Sequence, residues 1–160
     1  MVNGKTAALL SASLALGALI AGADALEQER FALFGREMGL AFQIRDDILG
    51  IWGEGSATGK PVGADIERRK KTLPVVHAFQ QAVGADREVL RAVYTKDEVD
   101  GADVDKVLDI LQRWNSRYFA QGLAEDHRAT AMGALARTSI AFESRVMFDD
   151  LTQFILERDF

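Results

Sequence analysis

The chain has 160 residues, of which 48% are apolar and 27% charged, with a formal net charge of −5. These proportions belong to a globular domain that buries roughly 70% of its unfolded surface and not to a disordered segment. The acidic balance and the lack of a long basic stripe argue against nucleic-acid binding, and the absence of cysteine excludes disulfides and thiolate metal sites while suiting a reducing cytoplasm.

The pattern is almost wholly helical, with proline only at 61 and 74. A first helix is expected from Thr6 to about Ala21. Its stretch from Ala7 to Ala23 has 17 uncharged residues, short of the roughly 20 of a membrane span. Its Ala, Ser and Gly content suits tight helix packing, and so nearly apolar a helix implies burial on most faces. Lys5 before an apolar run resembles a signal peptide only superficially, because Asp24-Ala25-Leu26-Glu27 is a poor cleavage site. Asp24 is the expected N-cap of a helix from Ala25 to about Trp52. In that helix Leu26, Phe31, Phe34, Met38, Phe42 and Leu49 form an apolar stripe.

Residues 53–64 read as a Gly- and Pro-rich loop. A helix then starts at Asp65, an expected N-cap, and is perturbed near Pro74. Further helices are expected at about 86–94 and 103–122, followed by a long last helix broken near Thr138. The acidic turn Asp97–Asp103 lacks the alternating oxygen ligands of a calcium loop and reads as solvated. No repeat or linker divides the chain, so residues 1–160 are expected to form a single all-helical domain without a membrane span.

The richest stretch is residues 42–73, FQIRDDILGIWGEGSATGKPVGADIERRKKTL. Adjacent carboxylates at Asp46 and Asp47 lie on a helix, followed by a Gly-rich loop with Lys60 and a basic run through Lys70 and Lys71. Magnesium is typically held by one or two carboxylates, with water and substrate phosphates completing its shell. Paired acids beside lysines therefore read as a site for magnesium and a diphosphate. Glycine at 59 lets the backbone bend so that Lys60 can approach a phosphate. On the helix Gln43, Asp46, Asp47 and Gly50 share one face. His77 and His127 lie outside this stretch and read as structural or exposed.

Phe42, Gln43, Asp46, Asp47, Gly59, Lys60, Gly63, Asp65, Lys70, Thr72, Leu73 and Pro74 together resemble the second aspartate-rich region of the trans-isoprenyl diphosphate synthases, the polyprenyl synthetases. Gly4-Lys5-Thr6 resembles that family's G-K-T element, and the closing LERDF resembles its C-terminus. The family's first aspartate-rich motif, with its following arginines, does not occur in these residues. The resemblance thus covers nearly all of this chain but about half of a complete synthase.

The resemblance implies an all-α antiparallel bundle of the isoprenoid synthase type, here its C-terminal part. It implies a cytoplasmic prenyltransferase of isoprenoid biosynthesis that condenses an allylic diphosphate with isopentenyl diphosphate, with Mg2+ as cofactor. The allylic C1–O bond breaks, the isopentenyl double bond attacks the cation, and a proton is lost. In this picture Asp46 is the direct metal ligand and Asp47 its supporting partner. Lys5, Lys60 and Lys70 hold the diphosphate. Lys5, Thr6 and Gln43 are the catalytic set, the last two turning neutral dipoles toward developing positive charge. Gly50 stands where the family's third aspartate falls, which removes one carboxylate and weakens the helix by about 1 kcal/mol.

The opposing carboxylates would come from the missing half, so a homo-oligomer or a complex with that half or with a full-length synthase is expected. The alternative is a catalytically incomplete partner or regulatory subunit, toward which Gly50 leans. A class I terpene cyclase fragment is disfavoured by the G-K loop and the K-x-T-L-P element.

Overall fold

The computed structural model describes residues 6–53 and 61–157, with side chains up to Ile155. Eight helices occur among the described residues: α1 (Thr6–Ile20), α2 (Ala25–Trp52), α3 (Ala64–Glu67), α4 (Leu73–Gln81), α5 (Gly84–Thr95), α6 (Gly101–Arg113), α7 (Ser116–Leu135) and α8 (Phe142–Glu157). No strand occurs among them, as the all-α expectation requires. None of these helices is long and apolar enough to cross a membrane. The residues pack as two compact units, one made of the chain up to Arg45 and from Leu123 onward, the other of Asp46–Gly122.

In the first unit, Asp24 caps α2 as expected, accepting the Glu27 N–H at 2.8 Å. Phe31, Phe34 and Met38 from the apolar stripe join Ala18, Ala131, Ala134 and Leu135 in one core, and Phe148 meets Phe34 edge-on at 5.2 Å between ring centres. The start of α1 lies directly on α2. A Cβ at Gly39 would stand 2.5 Å from the Ala7 Cα, and one at Gly35 would stand 2.6 Å from the Leu10 carbonyl oxygen. Only glycine at these two positions permits so close a helix crossing. The expected break near Thr138 separates α7 from α8.

The expectation that α1 is buried on most faces is overturned. Only Ala7 and Ala18 of this helix are buried, because α1 turns its small residues toward α2. Leu9, Leu16, Leu19 and Ile20 are all more than half exposed, as are Phe142, Met147 and Phe154 on α8. Leu26 of the α2 stripe is exposed as well.

In the second unit Ile51, Ile66, Val75, Leu90, Val93, Val107, Ile110 and Leu111 form the core. Three expectations change here. Pro74 does not perturb a continuous helix; it sits in the first turn of α4, where its missing N–H costs nothing. The chain between α3 and α4 is a loop in which Arg69 adopts a left-handed φ of 53°. The expected helix over 103–122 is interrupted at Asn115, whose φ is 52°, a conformation asparagine tolerates better than most residues. The acidic turn is not simply solvated either. Asp100 caps α6 by accepting the Asp103 N–H at 2.9 Å, while buried Asp103 is neutralised by Lys96 and, at 3.3 Å, by Lys106.

The apolar residues left outside by α1 and α8 should make the chain self-associate or limit its solubility. Leu16→Lys with Met147→Lys should reduce association measured by light scattering while changing stability by less than about 0.5 kcal/mol per exposed site. A wild-type chain that stays monomeric at high concentration would contradict this.

Candidate active site

Lys5 and Lys60 lie outside the described residues. In the first unit the structure brings together the two expected neutral groups: Thr6, the first residue of α1, donates its hydroxyl to Gln43 Oε1 at 3.4 Å. The close seating of Ala7 over Gly39, one turn before Gln43, fixes that approach. Both residues are half-buried.

In the second unit the end of α2 is covered by residues 61–73. Asp47, Gly50 and Ile51 occupy one helical face at spacings of three and four, and each meets this segment. Asp47 Oδ2 accepts the Leu73 N–H at 2.9 Å. The Ile51 carbonyl accepts the Gly63 N–H at 2.8 Å. Asp65 lays its carboxylate over Gly50, so closely that a Cβ there would stand 2.2 Å from Oδ2 and 2.6 Å from Cγ. Asp46 is exposed, whereas Asp47 is half-buried.

The two adjacent acids therefore differ in role. Thr72 occupies the N-cap position of α4 but its side chain makes no capping bond, and its hydroxyl oxygen is buried without a partner among the described residues. Asp47 supplies the missing acceptor from 26 residues away. A carboxylate at a helix N-terminus is also favoured by the helix dipole.

Lys70 carries the electrostatics. Its ammonium donates to Asp65 Oδ2 at 2.9 Å, with the lysine side chain half exposed and that of Asp65 buried. This hydrogen bond, opposed by partial burial and reinforced by the charges of Asp65, Asp46 and Asp47, holds the Lys70 pKa above its usual 10.5. The Lys70 N–H donates to the Asp65 carbonyl at 2.8 Å, and the Tyr94 hydroxyl donates to the Lys70 carbonyl at 3.2 Å. Burial and the Asp65 charge push the Tyr94 phenol upward. Lys70 is thus fixed through both its backbone and its side chain.

Asp65 is the residue that sequence reasoning misplaced. It was expected as an N-cap, but the N-cap of α3 is Gly63, and Asp65 lies buried inside the helix. The one local signal was the five-residue spacing from Asp65 to Lys70. His77 and His127 have structural contacts: His77 stacks on Phe119 at 4.1 Å and pairs with Ser116 at 3.0 Å, and His127 Nδ1 lies 2.6 Å from Glu37.

Among the described residues no three His, Cys, Asp or Glu side chains cluster so as to hold a metal ion. The donors do fit magnesium bound through substrate, which needs only one or two carboxylates: Asp46 is an exposed carboxylate in the field of a fixed lysine.

A family model described as polyprenyl synthetase matches residues 1–111. The chain belongs to the polyprenyl synthetase family. It is 37% identical to a (2E,6E)-farnesyl diphosphate synthase of Mycobacterium bovis, over 99% of this chain and 45% of the relative. Among solved structures it resembles a geranylgeranyl pyrophosphate synthetase from Pyrococcus horikoshii, with TM-score 0.89 and 36% identity over 99% of this chain and 47% of that one. A geranylgeranyl pyrophosphate synthase from Corynebacterium glutamicum, complexed with isoprenyl diphosphate and magnesium, matches with TM-score 0.88 and 28% identity, over 98% of this chain and 45% of that one. The all-α fold is that of these synthases, and the chain spans about half the length of the relatives it matches.

For this polyprenyl synthetase chain, Asp47→Ala should lower stability by about 0.5–2 kcal/mol, the range for a lost helix cap, measured by urea unfolding. Thr72→Val, which removes a hydroxyl making no bond among the described residues, should not destabilise comparably. Because the folded pKa of Lys70 is raised, its contribution should be complete below pH 10.5 and disappear as pH rises through the folded value. The stability difference between wild type and Lys70→Met should therefore stay constant from neutral pH to about 10 and shrink above it.

Proposed function

We propose that this chain bears the second aspartate-rich part of an isoprenyl diphosphate synthase active site, which condenses an allylic diphosphate with isopentenyl diphosphate. The observation that carries this reading is Lys70, held by Asp65 and lying within the fields of Asp46 and Asp47. A fixed cation beside an exposed carboxylate suits a magnesium diphosphate and no uncharged substrate. Family membership and the magnesium and isoprenyl diphosphate named for a similar solved structure support it.

In this reading Asp46 is the metal-binding carboxylate. Asp47 supports it from the α4 cap. Lys70, Lys5 and Lys60 bind the diphosphate. Thr6 and Gln43, hydrogen-bonded to each other, turn uncharged oxygens toward the allylic carbon, where they stabilise positive charge without competing as nucleophiles. The chemistry magnesium supplies when bound is neutralisation of charge developing on the departing diphosphate oxygen.

Both compact units belong to one synthase domain in this account. The enzyme acts in the cytoplasm, which the cysteine-free composition suits. The exposed apolar residues of α1 and α8 support work as a homo-oligomer or with the remaining portion of a synthase.

The test is turnover of labelled isopentenyl diphosphate with magnesium and five-, ten- or fifteen-carbon allylic primers. It is measured for the chain alone and with the rest of a family synthase added in trans. Turnover is expected in at least the second arm, reduced roughly 10²-fold or more by Asp46→Ala. Absence of turnover in both arms, with altered product length when a complete synthase is present, would instead establish a regulatory subunit.

A further inference from the structure

We infer that Gly50 is the seat of Asp65, and that the seated Asp65 is a positioning residue, aiming the Lys70 ammonium at the diphosphate that enters beside Asp46. The inference rests on the proposed diphosphate site and deepens it. Family resemblance makes position 50 look like a lost metal ligand. The packing gives the glycine a different purpose.

A glycine inside a helix is a propensity cost, so its presence within α2 calls for a compensating contact. That contact is the Asp65 carboxylate, whose Oδ2, Cγ and Oδ1 would lie 2.2, 2.6 and 3.2 Å from a Cβ at position 50. Asp65 is only 2% exposed. It cannot retreat from an added side chain without leaving both its burial site and Lys70. A carboxylate so buried needs a partner, and Lys70 forms an ion pair with it at 2.9 Å.

The benefit falls on Lys70. A lysine has three N–H donors on a long flexible stem. Here one donor is committed to Asp65, and the backbone on either side of the residue is held by the Asp65 carbonyl and the Tyr94 hydroxyl. The lysine side chain is half exposed; an ammonium with one of its three donors committed keeps others for an incoming anion, and its rotamer freedom is spent before the anion arrives. Two consequences separate this from a simple ion pair. Asp65 should influence anion binding only through Lys70. Restoring an aspartate at position 50 should also weaken the site, because the new side chain evicts Asp65.

The test uses the full chain and titrates inorganic pyrophosphate in the presence of magnesium by calorimetry, with circular dichroism confirming that each variant is folded. Asp65→Asn, which is nearly isosteric, should weaken binding roughly tenfold, the scale of one charge-assisted hydrogen bond. Lys70→Gln should weaken it at least as much, and the double variant should bind no worse than Lys70→Gln alone. Gly50→Asp should also bind more weakly than wild type. Wild-type affinity in a folded Asp65→Asn chain, additive losses in the double variant, or tighter binding by Gly50→Asp would each overturn the inference while leaving the diphosphate site intact. A wild-type chain that binds no pyrophosphate would overturn both, and that outcome marks failure of the site itself.

Discussion

One face of α2 organises the candidate site. Asp47, Gly50 and Ile51 meet the 61–73 segment through, respectively, a carboxylate that accepts the Leu73 N–H, a seat for the Asp65 carboxylate, and a carbonyl that accepts the Gly63 N–H. These contacts anchor the start of α3, its Asp65 and the start of α4, and so they bracket the loop that carries Lys70. The loop contains a left-handed arginine, a conformation that needs surrounding structure to hold it. Without this seating Lys70 would be another solvated surface lysine.

The same contacts divide labour between two adjacent acids. Successive residues on a helix point about 100° apart, so a face that half-buries Asp47 leaves Asp46 exposed. Asp47 puts one oxygen into the cap of α4, while Asp46 remains exposed. The doublet is thereby part scaffold and part prospective metal ligand. A cap made by a residue 26 positions away also explains why Thr72, the local candidate, contributes no capping bond.

Much of this architecture was legible in the sequence, and the failures share a cause. Asp24 marked the start of α2 because an N-cap is a local feature, and the break near Thr138 was likewise visible. The break at Asn115 was not, because apolar spacing continues through it and only the backbone torsion interrupts the helix. The exposure of α1 could not be read from its composition, since an apolar helix is buried only where something packs on each face, and here α2 takes its small residues. Asp46, Asp47, Lys70, Thr6 and Gln43 stand out in the sequence as candidate site residues. The burial of Asp65 and the service of Asp47 as a cap were not, because both depend on contacts across a loop.

The most direct measurement of the central claim uses manganese(II) as a paramagnetic probe, added with inorganic pyrophosphate to isotopically labelled chain. The account predicts that amide signals around Asp46 and Lys70 broaden selectively. It further predicts that Asp46→Asn abolishes the broadening, while Asp47→Asn chiefly perturbs the start of α4. Broadening that is centred elsewhere, or that survives Asp46→Asn unchanged, would contradict the account.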